Sequence, residues 1–174
     1  MFTYSSKKKC FESMLYNKIL LLSRNKLLYT DFNLDDTFQN RINLIFFHSS
    51  FLFIKIKHQK SNFKYKDFYQ KMFDFMFKKI EQNMRELGWG DVTVNKKMKQ
   101  LVKDFYNILL NCEKYQSENA SSRSSILYMY LQHNKTQNPP NNKDLTEYFD
   151  KYLSFCIDLP QDNVIKGEFN FKYK

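Results

Sequence analysis

The sequence predicts an all-α, single-domain bundle of about five to seven helices with an extended C-terminal arm. Three observations carry this expectation. Turn formers are scarce, with three glycines and three prolines in 174 residues. Apolar residues recur at helical spacing over long stretches rather than alternating. Hydrophobic residues make up 43% and aromatics 18%, enough for a chain of this length to bury a core without disulfides or metals. Residues 1–174 are therefore treated as one domain, with an arm over 160–174.

The first periodic stretch runs from about Phe11 to Tyr29, with Met14, Leu15, Ile19, Leu22, Leu27 and Leu28 inward and a break or bend between Ser23 and Asn25. A second helix is expected from Asp36-Thr37-Phe38-Gln39, a capping-box variant in which a side-chain acceptor precedes Gln by three residues, and should run to about Lys57. Its Leu44–Ile54 segment is apolar around most of its circumference. A membrane span needs about 20 mainly apolar residues, and this run is about half that and contains His48, Ser49 and Ser50. A central helix buried by its neighbours fits better.

The third helix, about Tyr65 to Leu87, places Phe68, Met72, Met76, Ile80 and Met84 in one i+4 row and Tyr69, Phe73 and Phe77 in the next. Core packing is the ordinary fate of each methionine. Phe75 falls outside both rows, so the helix carries more apolar surface than one packing stripe needs, and Met72, Phe75 and Met76 become candidates for docking a partner. A fourth helix, capped by Thr93 or Asn95 and ending near Glu118, turns Met98, Leu101, Val102, Phe105, Leu109 and Cys112 inward. On its other side Lys96, Lys99 and Lys103 align with no carboxylate in their row, either a solvated face or a docking stripe.

A fifth helix is expected over Ser121–Asn134, with Ile126, Leu127, Tyr130 and Leu131 inward. Gln137–Asn142, with its two prolines, breaks it. A sixth helix should be capped at Asp144-Leu-Thr-Glu147, bury Leu145, Tyr148, Phe149, Tyr152 and Cys156, and stop at Leu159-Pro160. The tail from Asp162 alternates weakly through Phe169, Phe171 and Tyr173, as an arm laid on the bundle or as disordered chain.

Net charge is +10 with a pI near 9.4, which favours nucleic acid, an anionic membrane surface or an acidic protein as partner. The composition tempers that inference: Lys, Asn, Phe, Tyr and Ile are abundant, Ala occurs once and Arg four times, the pattern of an AT-rich genome. Cys10, Cys112 and Cys156 have neither CxxC nor Cys/His ligand spacing, so no metal site or disulfide framework is expected and a reducing compartment fits. The Asn119 and Asn134 sequons follow no signal-peptide pattern and are set aside, and the basic N-terminus is too short for a convincing transit peptide. No P-loop, GxGxxG, HExxH or GxSxG motif is present, so the sequence supports no enzyme and no cofactor. His48 reads as a core histidine bonded to a backbone or hydroxyl group rather than a haem ligand or base, because no carboxylate lies at i±3 or i±4 to orient it.

Arg85-Glu-Leu-Gly88-Trp89-Gly90-Asp91 concentrates two of the three glycines and the only tryptophan between two helices. Gly88 is suited to close one helix through a positive φ, and Gly90 to aim the chain into the next. Trp89 is either a core plug or a side chain presented to a partner.

Asp36–Arg41, Leu44–His48, Phe73–Phe77 and above all Met84–Asp91, followed by Val94, Lys96, Met98 and Phe105-Tyr106, resemble the ubiquinol–cytochrome c chaperone family. The resemblance covers about residues 20–115 well and the rest loosely, with Arg24–Tyr29 and Gly167-Glu-Phe169 matching its flanks. Trp89 stands where that family has a smaller apolar residue, and Asn107 where Gly is common. The resemblance implies an all-helical, non-enzymatic assembly factor of the cytochrome bc1 complex that binds nascent or unassembled cytochrome b. It further implies action peripheral to the inner membrane on its cytoplasmic side (the matrix side in a eukaryote), leaving open whether a second chaperone subunit is needed, while the basic surface favours a ribosome or an anionic membrane surface as a further contact and no DNA is expected. A basic ribosome- or RNA-associated helical module is the alternative. Within either reading the candidate partner-binding residues are Met72, Phe75, Met76, Arg85, Gly88, Trp89, Gly90, Asp91, Lys96, Lys99 and Lys103.

Overall fold

The computed structural model describes residues 11–57, 63–131 and 142–173. Among these are eight helices and no strand, two of the helices being only five and six residues long. The first periodic stretch divides where expected, into α1 (Phe11–Ser23) and α2 (Lys26–Thr30). Asn25 restarts the helix, its side chain accepting a bond from the Leu27 N–H at 3.2 Å. The Tyr29 hydroxyl donates back across the break to the Ser23 carbonyl at 2.8 Å.

Helix α3 (Phe38–Lys57) is the axis of the molecule and touches α1, α4 (Phe63–Glu86), α5 (Asp91–Tyr115), α7 (Asn142–Asp158) and α8 (Gln161–Lys166). Burial on all sides explains its apolar circumference. Phe46, Phe47, Phe51 and Phe53 are essentially inaccessible and meet Phe77, Phe105, Tyr115, Tyr130 and Phe149 in edge-on or tilted ring pairs. Among the described residues no helix is long and apolar enough to cross a membrane. The cap of α3 lies one residue later than the sequence suggests. Thr37 Oγ1 accepts from the Asn40 N–H at 3.2 Å, which frees Asp36 for a bidentate pair with Arg41 at 2.5 and 2.7 Å.

His48 is fully buried, its Nδ1 2.7 Å from the Leu44 carbonyl and its Nε2 2.8 Å from the Tyr148 hydroxyl. Both partners are the kind the sequence led us to expect. Desolvation lowers its pKa to about 4, with the Leu44 bond opposing, so the ring is neutral at neutral pH. Burial likewise pushes the Cys112 thiol well up and that of Cys156 up to about 12, which makes both packing residues rather than reactive ones.

Helix α6 (Ala120–Tyr130) begins on Asn119, whose side chain accepts from the Ser122 N–H at 2.9 Å, and packs on α7. Residues 132–134, expected to continue it, and 137–141 of the expected breaker lie outside the described residues. Helix α7 includes Asn142 and so starts before the Asp144 cap the sequence suggests, while burying the five side chains expected of it.

The C-terminal arm is neither wholly extended nor disordered. It forms α8, turns through Gly167 at φ +65, and continues from Glu168 to Tyr173 along the bundle without helix or strand. Phe169 is buried, and Phe171 meets Tyr148 edge-on and Tyr173 meets it tilted, at ring separations of 5.5 and 5.3 Å.

Candidate partner-binding corner and basic face

Helices α4 and α5 meet at a four-residue corner built from backbone hydrogen bonds. The Trp89 N–H reaches the Met84 carbonyl at 3.1 Å and the Gly88 N–H the Arg85 carbonyl at 2.9 Å, the paired bonds of a Schellman motif around Gly88 at φ +83. The expectation for Gly88 is met. Gly90 is different: its φ of −71 and ψ of 156 suit any residue, and it serves only as the N-cap of α5 without a side-chain bond. Because α5 starts at Asp91, neither Thr93 nor Asn95 caps it. Arg85 then ties the two helices together, donating to Glu81 at 3.0 and 2.9 Å and pairing with Asp91 in the first turn of α5. Those carboxylates raise the pKa of the guanidinium, Asp91 most, and Asp91 also complements the helix N-terminus.

Trp89 fulfils neither sequence reading completely. It is half-buried, with its ring tilted against Phe38 at 5.2 Å on the first turn of α3, while Leu87 beside it is 61% exposed. The corner therefore presents part of an indole and a leucine on a backbone fixed by capping bonds and two ion pairs.

The methionine row does not present a docking surface. Met72 and Met76 are both fully buried, because α1 and α3 cover that side of α4, and the Ser49 hydroxyl of α3 lies 3.5 Å from the Met76 sulfur. Phe75 is half-buried and meets Tyr16 of α1 edge-on at 5.7 Å, so the additional apolar surface of α4 serves α1.

Lys96, Lys99 and Lys103 are exposed along α5 opposite its buried Val94, Leu101, Phe105, Ile108 and Cys112. Among the described residues none of the three forms an ion pair, whereas the acids of the helix are engaged: Asp91 with Arg85, Asp104 with Gln100 and Glu113 with Lys57. Asn107 lies exposed in an unbroken helix, its carbonyl accepting from Asn111 at 3.0 Å.

One organising residue escapes sequence reasoning. Arg123 of α6 donates to the carbonyls of Tyr115 and Gln116 at 2.9 Å each, reaches Asp150 of α7 at 3.2 Å, and lies over the Tyr115 ring at 5.3 Å. A cation placed on the last carbonyls of α5 satisfies acceptors the helix leaves unpaired. Its partners come from two other segments of chain, the end of α5 and the middle of α7, so no local spacing marks it.

Among the described residues no cluster of His, Cys, Asp or Glu is placed to hold a metal ion. Two surface hollows, of about 220 and 310 Å³, lie along α1 and are lined by none of the corner residues or of the exposed lysines of α5. Fold and site together define an all-helical protein in which a partly apolar corner lies next to a basic face whose lysines form no ion pair among the described residues. The model of the ubiquinol–cytochrome c chaperone family matches residues 30–171, and the chain belongs to that family. The match extends through α6, α7 and α8, well beyond the region around the corner. Family membership makes the chain a chaperone in the assembly of ubiquinol–cytochrome c reductase, the cytochrome bc1 complex. The fold is similar to the crystal structure of the Cbp3 homolog from Brucella abortus, with a TM-score of 0.78 and 21% identity over 93% of this chain and 88% of that one. No curated protein matches the chain.

Proposed function

We infer that the chain is a non-enzymatic holdase that binds newly made cytochrome b, peripheral to the inner membrane, before the other bc1 subunits cover it. Family membership is the observation that carries this reading. The corner supplies a contact of suitable chemistry. An unassembled membrane subunit exposes apolar surface that its eventual neighbours will bury, and Leu87 with the free edge of Trp89 offers a preorganised apolar counterpart. Arg85 and Asp91 are positioning residues that hold the corner rather than contacts in their own right, since their charges are spent on each other and on Glu81.

Deleting the protein and blotting for cytochrome b tests the function: a fall in steady-state cytochrome b and in bc1 activity is expected, and normal levels of both would overturn the reading. The corner is tested separately with Leu87→Ser/Trp89→Ala. Half-buried Trp89 should cost about 1–2 kcal/mol of stability, below the 3–5 kcal/mol of a core aromatic, while crosslinking to cytochrome b should fall about tenfold or more, as for the anchor of an interface. Undiminished crosslinking by the folded variant would move the client site elsewhere.

A further inference from the structure

The outer face of α5 holds more than three lysines. At 100° per residue, Val92, Lys96, Lys99, Lys103, Tyr106, Leu110 and Lys114 fall within an arc of about 80° that runs roughly 30 Å along the helix. All seven are exposed, Val92 at 82%, Leu110 at 54% and Tyr106 at 46%. The buried residues of α5 occupy the opposite side, and no other described element covers this one. The face thus has aliphatic residues towards both ends, three ammonium groups between them that form no ion pair among the described residues, and a tyrosine whose ring is braced against Phe73 at 5.8 Å. The three acids of α5 lie outside this arc, Asp91 paired with Arg85, Glu113 with Lys57 and Asp104 bonded to the Gln100 amide.

We propose that this face of α5 is a docking surface for an anionic phospholipid bilayer, with α5 lying flat on the headgroups. The charge pattern selects a polyanion, and the apolar residues select which one. Lysine ammonium groups reach headgroup phosphates on flexible stems while aliphatic side chains of the same face enter the acyl boundary, and a tyrosine suits the depth between them. A nucleic acid would use the lysines but has no place for Val92 and Leu110, and it draws on arginine forks and free aromatic faces for stacking. This face has no arginine, and its one aromatic ring already rests on Phe73. The surface deepens the reading of a chaperone that works beside the inner membrane, and it requires no contact with cytochrome b.

Purified full-length protein is sedimented with vesicles of phosphatidylcholine alone and of phosphatidylcholine containing phosphatidylglycerol, at low and at physiological salt. Binding to the anionic vesicles only, weakened by salt, is expected. Lys96→Glu/Lys99→Glu/Lys103→Glu should weaken it at least a hundredfold, since each lysine near such a surface contributes about 1 kcal/mol. Val92→Ser/Leu110→Ser keeps every charge and should weaken vesicle binding about tenfold or more. Thermal melts of both variants, expected to match the parent, confirm folding. Three outcomes would overturn the proposal: no preference for anionic vesicles, full vesicle binding by the serine variant, or single-stranded RNA bound more tightly than vesicles with the serine variant unaffected. Because the assay contains no cytochrome b, a failed client interaction leaves its result intact, and a failed vesicle interaction leaves the client reading intact.

Discussion

Two helices of this molecule end on a left-handed glycine, and the two glycines have opposite surroundings. Gly88 closes α4 at φ +83 and Gly167 closes α8 at φ +65. A Cβ on Gly88 would meet no atom within 4 Å, whereas one on Gly167 would lie 3.0 Å from the Leu15 nitrogen and 3.1 Å from the Met14 carbonyl carbon. The first glycine serves the turn alone. The second serves the turn and also lets the arm rest directly on the backbone of α1. Local sequence points to the cap at Gly88 and not to the one at Gly167, and in neither case does a cap say what it will face.

The largest effect should come from loading that second contact. Gly167→Ala is expected to cost about 2–5 kcal/mol, from a left-handed alanine at about 1–2 kcal/mol and a clash with main chain that cannot swing away. Urea denaturation followed by circular dichroism measures it, and a loss no greater than that of Gly88→Ala would show that α1 gives way easily.

Acidification should also act on the arm rather than on the corner. His48 bonds Tyr148, and Tyr148 packs against Phe171 and Tyr173, so charging the imidazole disturbs the surface on which the arm lies. The folded pKa of about 4 lies below the ordinary 6.5, so between those values the unfolded chain binds the proton and the folded one does not. Stability is therefore complete above about pH 6.5 and falls as pH drops towards 4, by roughly 3 kcal/mol in all. Denaturant midpoints across that window check the sign. His48→Gln should flatten this part of the profile, at the cost of a generally weaker core.

The same contrast explains what was legible beforehand. Apolar periodicity located α3 and α4 to within a residue or two, because burial of a helix face leaves its period in the sequence. It did not say which neighbour covers a face, and so Met72 and Met76, candidates for docking as well as for the core, lie under α1 and α3. The lysines were legible as an exposed row because charge excludes burial, while their freedom from ion pairs emerges only once Asp91, Asp104 and Glu113 are seen engaged elsewhere. Arg123, the cap at Gly167 and the six-residue α8 escaped notice because carbonyls from another helix, the backbone of α1 and a helix too short to show a period leave no local signal.

Gly88→Ala isolates the turn without the contact. Open space around the added methyl leaves only the left-handed backbone penalty, about 1–2 kcal/mol, and removes any reason for the native fold to shift. The difference between Gly167→Ala and Gly88→Ala, measured under one condition, then reports the close approach to α1 by itself. If the two variants lose equal stability, the steric part of the comparison is wrong.

The smallest effect, and the only gain, is expected at Gly90. Its position beside Gly88 suggests a shared purpose, yet its φ of −71 and ψ of 156 are open to every residue and a Cβ there would touch nothing within 4 Å. It occupies the N-cap of α5, where no side chain accepts from the first-turn N–H groups. Gly90→Ser supplies that acceptor, worth a few tenths of a kcal/mol over glycine, and narrows the unfolded ensemble, worth about 0.4–1 kcal/mol at a compatible position. A rise of roughly 0.5–1 kcal/mol in unfolding free energy should follow, with the Arg85–Asp91 pair unchanged. A loss of stability would mean that Gly90 does need its missing side chain, and the corner would then depend on both glycines where its backbone angles require only one.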